Sequence, residues 1–141
     1  MAIHATSAGS IVRTKRLAVI ALAASGALAA NLSIYAIGRA CGGAFTYTHN
    51  GKAIAVDAAA VAIMSGVPLV MGLALVAWLS RTWPAMITTA KIVATMVAVA
   101  TIGLMTLPAR FDTTSTVFLA TMHLTIVPVS LFALGVFGRA R

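Results

Sequence analysis

Four polar side chains lie inside long apolar runs and are the first candidates for chemistry: Asn31, Ser65, Thr101 and His123. Imidazole changes charge near neutral pH, and an ionisable group inside lipid tends to mark function because burying it is costly. His123 is therefore a candidate proton-responsive or ligand-contacting group, with Asn31, Ser65 and Thr101 as ligand-binding companions. The competing role is structural, a neutral imidazole hydrogen-bonded between helices to Asn31 or to a hydroxyl. This second role is the favoured one. A bis-histidine haem site needs two facing histidines, yet His4 and His49 both fall outside the apolar runs.

Asp57 and Asp112 are the only acids. Together they could form a carboxylate pair at the outer surface, for a cation or for acid and base chemistry. Single acids at helix starts more often accept backbone N–H bonds and meet the positive end of the helix dipole. Asp57 is thus expected to cap a helix, and Asp112 either to cap another or to pair with Arg110. No acid lies deep in an apolar run, so the buried carboxylate of many proton-coupled pumps is missing. Cys41 stands alone, which removes an intrachain disulfide and any CxxC redox or zinc spacing. No cofactor, metal site or catalytic constellation is implied, and the expectation is that the chain is not an enzyme, a membrane enzyme being the remaining alternative.

The elements that must position these residues are set by hydrocarbon. Apolar types make up 61% of the 141 residues and charged types 9%, against roughly a quarter charged in soluble domains. A water-soluble domain this small exposes too much of itself for that composition. Crossing about 30 Å of hydrocarbon at 1.5 Å per residue takes roughly 20 apolar residues. Four stretches qualify: 17–38, 57–79, 88–107 and 116–137. Each must be helical, because backbone polar groups in lipid have to be satisfied within their own segment. Lys91 lies near a span border, where its stem can snorkel. A cleaved signal peptide is the competing reading of the first stretch, but its apolar character continues through Ile34, Tyr35 and Ile37, longer than a cleaved core.

Between the first two spans, Asn50-Gly51 separates two β-prone runs, the preferred chemistry of a type I′ turn. A small extramembrane hairpin is predicted over residues 44–56, resting on the helix ends or on a partner because an isolated hairpin is marginal. Residues 1–16 are expected to be a cytoplasmic disordered tail ahead of a transmembrane domain over 17–138. The fold class expected is thus an all-α membrane protein, an antiparallel four-transmembrane-helix bundle carrying one hairpin. No internal repeat is evident.

Depth ties the polar candidates together. Asn31 is seven residues from the outer end of its stretch, His123 seven from the start of its own, Ser65 eight and Thr101 six, all about 10 Å below the outer border at 1.5 Å per residue. Small residues share their faces: Ala24 and Ala27 with Asn31, Ala94 and Ala98 with Thr101, Ala58, Ala62 and Gly72 with Ser65. Such residues permit close helix approach in lipid.

Ten Lys and Arg against two acids would suggest nucleic acid in a soluble protein. Here the cations sit singly or in small groups at the borders of apolar runs and read as topological, so no nucleic-acid partner is expected. With the amino terminus inside, Arg13, Lys15, Arg16, Arg81, Lys91, Arg139 and Arg141 fall on the inner side, and only Arg39, Lys52 and Arg110 on the outer. That bias predicts both termini in the cytoplasm of a multi-pass cell-membrane protein. Trp78 and Trp83 inside, with Tyr35 and Tyr47 outside, read as interfacial anchors.

The segment from Leu104 to Leu134, with the run from Leu119 through Met122 and His123 to Pro128, resembles a family of small four-helix bacterial membrane proteins known as a domain of unknown function. The likeness extends to the Asn31 to Tyr35 region, the hairpin and the Leu107-Pro108 pair. It implies the same four-helix architecture in, for the most part, high-GC Gram-positive bacteria, and it brings no catalytic role. The partners expected are the lipid bilayer and either another membrane protein or a second copy. The leading expectation is a non-enzymatic accessory or interaction subunit, and the alternative a small-ligand carrier or sensor built on the layer around His123.

Overall fold

The computed structural model describes the backbone of residues 3–139 and side chains from Arg13 to Arg139. Helix α1 runs Ile3–Ala40, α2 Ala58–Leu79, α3 Met86–Thr101 and α4 Thr113–Arg139. Strands β1, Thr46–His49, and β2, Lys52–Ala55, lie between α1 and α2. All four helices, α3 taken with the helical turn that extends it to Thr106, are long and apolar enough to cross a bilayer, which marks a multi-pass membrane protein.

The tail expected over residues 1–16 requires correction. Met1 and Ala2 lie outside the described residues, but from Ile3 the backbone is helical and continuous with the first span. Once a helix is nucleated each added residue gains a hydrogen bond at small cost, so α1 extends past its apolar stretch. For the same reason α4 starts at Thr113 and reaches Arg139, beyond the 116–137 read from hydropathy. Apolar runs mark what lipid touches, not where hydrogen bonding stops. Similarly α3 begins at Met86, two residues before its apolar stretch, and ends in a π-helical turn, Ile102–Thr106, where the Leu107 N–H donates to the Ile102 carbonyl at 3.0 Å. Gly103 within the turn and Pro108 just after it both weaken the α-helical ladder there.

The hairpin forms as predicted. β1 and β2 are antiparallel, with Thr46 opposite Ala55 and His49 opposite Lys52. Asn50 and Gly51 both take positive φ, 50° and 76°, as a two-residue type I′ loop requires. The strands are mostly exposed, and the hairpin rests on the helix ends: the Tyr47 ring meets Phe111, centroids 5.2 Å apart, in the link between α3 and α4.

Apolar contacts between helices gain little in lipid, so packing shape and hydrogen bonds carry the association. Buried residues on α1 step through Arg16, Ile20, Ala23, Ala27 and Asn31, a continuous stripe at helical spacing. They meet Leu69, Leu73, Val76 and Ala77 of α2 and Ala133, Leu134 and Phe137 of α4. The alanines let the backbones approach. Helix α3 is peripheral: Ile87 and Ala98 are its buried residues, followed by Thr106 in the π turn. A smaller cluster of Phe45, Val61 and Met122 fills the hairpin end.

Candidate functional site

The four polar candidates pair off. Asn31 Nδ2 donates to Ser65 Oγ at 2.7 Å, joining α1 to α2, and both residues are buried. Thr101 Oγ1 lies 3.2 Å from His123 Nδ1, joining α3 to α4. The Thr101 hydroxyl also donates to the Ala98 carbonyl at 2.9 Å. A hydroxyl has one proton, so with that proton on Ala98 the imidazole Nδ1–H is the donor to Thr101. No hydrogen bond links one pair to the other among the described residues. Matching depth brought polar groups to neighbouring helices, but the pairs are separate contacts rather than one hydrogen-bonded layer.

The faces inferred from small residues hold unevenly. Ala27 and Asn31 are buried, as is Ala98. On α2 the inward face is Val61, Ser65, Leu69 and Leu73, whereas Ala58 and Gly72 are exposed and Ala62 is half-buried. Steps of four residues along this face collect branched residues, and glycine and alanine were a poor guide to it.

Asn31 carries an unresolved demand. Its Oδ1 is buried with no hydrogen-bond partner among the described residues. Amide oxygen and nitrogen are interchangeable by assignment, and the flipped amide would leave the nitrogen unsatisfied instead. Either way one end of a buried amide has nothing to bond.

The two acids act apart. Asp57 Oδ1 accepts from the Ala60 N–H at 2.7 Å and caps α2. Asp112 Oδ1 accepts from the Ser115 N–H at 2.9 Å at the start of α4, while Oδ2 accepts from the Ser115 hydroxyl and from the Ala44 N–H. The Ser115 side-chain bond, followed by its backbone bond, holds the Asp112 carboxyl below its ordinary value. This capping arrangement, not a carboxylate pair and not an Arg110 partnership, is what engages Asp112.

Sequence reasoning passed over three residues that organise the ends. Ser115, fully buried, accepts from the Phe45 N–H at 2.8 Å. Phe45 is itself fully buried at φ 52°, its carbonyl accepting from Val56 N–H at 2.8 Å and its ring 4.8 Å from that of Tyr35. It plugs the hairpin end. At the other end Arg16, 6% exposed, donates through Nη1 to the Ala77 carbonyl at 2.6 Å and to Ser80 Oγ at 3.3 Å, and lies 5.8 Å from the Phe137 ring centroid. Its position was legible in principle, because Arg16 falls on the same stripe as Ile20, Ala23, Ala27 and Asn31.

A family model matches residues 11–136, nearly the whole four-helix unit. The chain belongs to DUF6069, a family of unknown function. The match takes in both polar pairs, both caps and Arg16 with its Ala77 and Ser80 partners, and DUF6069 membership assigns none of them a role. No curated protein matches this DUF6069 chain, and no solved structure does.

Proposed function

We propose that this protein is a non-enzymatic accessory subunit of a bacterial cytoplasmic membrane, working by lateral contact with another membrane protein or a second copy. One observation carries the reading: the polar side chains within the spans are hydrogen-bonded in pairs between helices, Asn31 with Ser65 and Thr101 with His123. A site for turnover needs polar groups aimed at a substrate. The peripheral position of α3 adds support, since Ile92, Met96 and Val99 present apolar surface outward. Orientation follows the cations: Arg13, Lys15, Arg16, Arg81 and Arg139 gather at the end holding the termini, whereas Arg39, Lys52 and Arg110 lie at the hairpin end, which favours both termini in the cytoplasm.

Purification from native membranes in mild detergent tests the proposal. The expected result is a stoichiometric complex that dissociates when Met96→Trp crowds the outer face of α3. A solitary monomer under gentle extraction would end the reading.

A small-ligand carrier or sensor is the second reading, favoured by the orphaned Asn31 Oδ1, which a donor on a small ligand would satisfy. Replacing His123 by Ala decides its outlying part: unchanged thermal stability, ligand protection and pH response would remove His123 from any such role.

A further inference from the structure

Between α1 and α2, at the end holding the termini, a recess of about 110 Å³ is lined by Arg13, Arg16 and Arg81 together with Leu17, Ala74 and Trp78. We propose that it binds the headgroup phosphate of an anionic phospholipid, with one acyl chain lying along the α1–α2 seam. This inference stands apart from the accessory-subunit proposal, because it concerns lipid and requires no protein partner.

Charge makes the first case. Three guanidiniums surround one recess, and guanidinium matches phosphate oxygens with paired N–H donors. The chain's two side-chain carboxylates do not reach Arg13 or Arg81: Asp57 and Asp112 are tied up as caps at the hairpin end, a span of about 33 Å away along the 22 residues of α2 at 1.5 Å each. Arg16 is held by Ala77 and Ser80, so it forms a fixed part of the wall of the recess. Arg13 and Arg81 are exposed at its mouth.

Continuity makes the second case. A wider apolar groove of about 380 Å³ runs along the same seam, lined by Ala24 and Leu28 of α1 and by Gly66 and Val70 of α2. Ala24 is one turn beyond Ile20, and Val70 one turn before Ala74, so the groove continues from the recess. From Arg13 to Leu28 the helix rises about 22 Å at 1.5 Å per residue, enough to cover one leaflet of a core about 30 Å thick. Trp78, 64% exposed beside the recess, sits where an amphipathic ring meets headgroups. Phosphate chemistry at one end and hydrocarbon along the rest describe a phospholipid, not a soluble anion.

Trp78 also supplies the readout. A Trp83→Phe variant leaves it the single tryptophan, and the full chain is reconstituted with chain-brominated phosphatidylglycerol or phosphatidylcholine at matched mole fraction. Quenching should favour phosphatidylglycerol, and an Arg13→Gln, Arg81→Gln variant should lose about fivefold of that preference per guanidinium, since each basic group near an anionic surface is worth about 1 kcal/mol. A Lys15→Gln, Arg139→Gln variant removes equal charge from the same end outside the recess and should retain the preference. Equal loss in both variants would mean diffuse attraction and overturn the site, as would equal quenching by the two lipids. Relief of quenching by millimolar inorganic phosphate would assign the recess to a soluble anion and overturn the lipid assignment.

Discussion

Arg16 and Ala77 are joined by a hydrogen bond of 2.6 Å that ties the start of the first span to the end of the second. The last four carbonyls of a helix have no partner within it. In α2 the Val76 carbonyl accepts from Ser80 N–H, Trp78 from Arg81 N–H and Leu79 from Thr82 and Trp83 N–H. The Ala77 carbonyl is served by Arg16. A cation there also meets the negative end of the helix dipole.

Replacing Arg16 by Ala should therefore destabilise the protein by about 2 kcal/mol, the usual worth of a hydrogen bond to a charged group. Arg16→Lys should recover only part of this, because an ammonium lacks the planar fork and packs differently beside Phe137. Thermal unfolding of the three proteins in one detergent gives the order. A lysine variant as stable as the parent would show that charge alone matters.

Asn31 and Ser65 predict an unusual ranking. Hydrogen bonds between membrane helices average about 0.6 kcal/mol, so the bond itself contributes little. Ser65→Ala leaves the Asn31 amide with both ends unpartnered, whereas Asn31→Leu removes the buried amide and its orphaned Oδ1 with a side chain of the same branching and heavy-atom count. Burying unpaired polar groups is what costs. Ser65→Ala should be the more destabilising change, and Asn31→Leu neutral or stabilising. The reverse ranking in a melting comparison would point to an unseen donor on Asn31 Oδ1.

Gly38 and Gly26 lie on one helix and should respond oppositely to alanine. A Cβ at Gly38 would stand 2.7 Å from Phe45 Cζ and 2.9 Å from Phe118 Cγ, whereas at Gly26 nothing lies within 4 Å. Overpacking typically costs about 1–3 kcal/mol. Gly38→Ala should lower the melting temperature and disturb the hairpin end. Gly26→Ala should leave the hairpin end undisturbed and raise the melting temperature slightly, since alanine is worth up to about 1 kcal/mol over glycine in a helix interior, with Tyr35 and Tyr47 near-ultraviolet circular dichroism as the local readout.

These cases show what the sequence could carry. The four spans were legible because lipid imposes a length and a composition, and the hairpin because Asn50-Gly51 supplies both positive φ angles locally. Depth was legible too, since it is counted along a helix, and it brought Asn31 level with Ser65 and Thr101 with His123. Azimuth was not, because which face turns inward depends on neighbours: α2 buries Leu69 and Leu73 rather than Gly72. Phe45 falls in the β-prone run ahead of Asn50-Gly51, yet its burial rests on Ser115, seventy positions away, and on the space left by Gly38 and Gly43. Arg16 reads as a border charge by its place beside an apolar run, and only its helical spacing from Ile20 and Ala23 marks it as facing a neighbouring helix.

Asp112 ties the loop after α1 to the start of α4, and its titration should be visible in stability. Its carboxyl is held below the ordinary aspartate value of 3.8, chiefly by the Ser115 hydroxyl and then by the Ser115 N–H. A group whose folded pKa is depressed contributes stability that is fully present above its unfolded value and is lost as pH falls through the folded one. The window thus lies below pH 3.8. Melting temperatures in a non-ionic detergent should show the parent ahead of Asp112→Asn from neutral pH down to the carboxylate range, then converging with it on further acidification. Ser115→Ala removes the largest cause of the shift and should shrink the pH-dependent part of the difference. It also removes the acceptor for the Phe45 N–H, so its melting temperature should be lower than the parent's at every pH. A parent and an Asp112→Asn variant that stay equally far apart down to strongly acidic pH would mean that the carboxylate's charge plays no part in holding the loop.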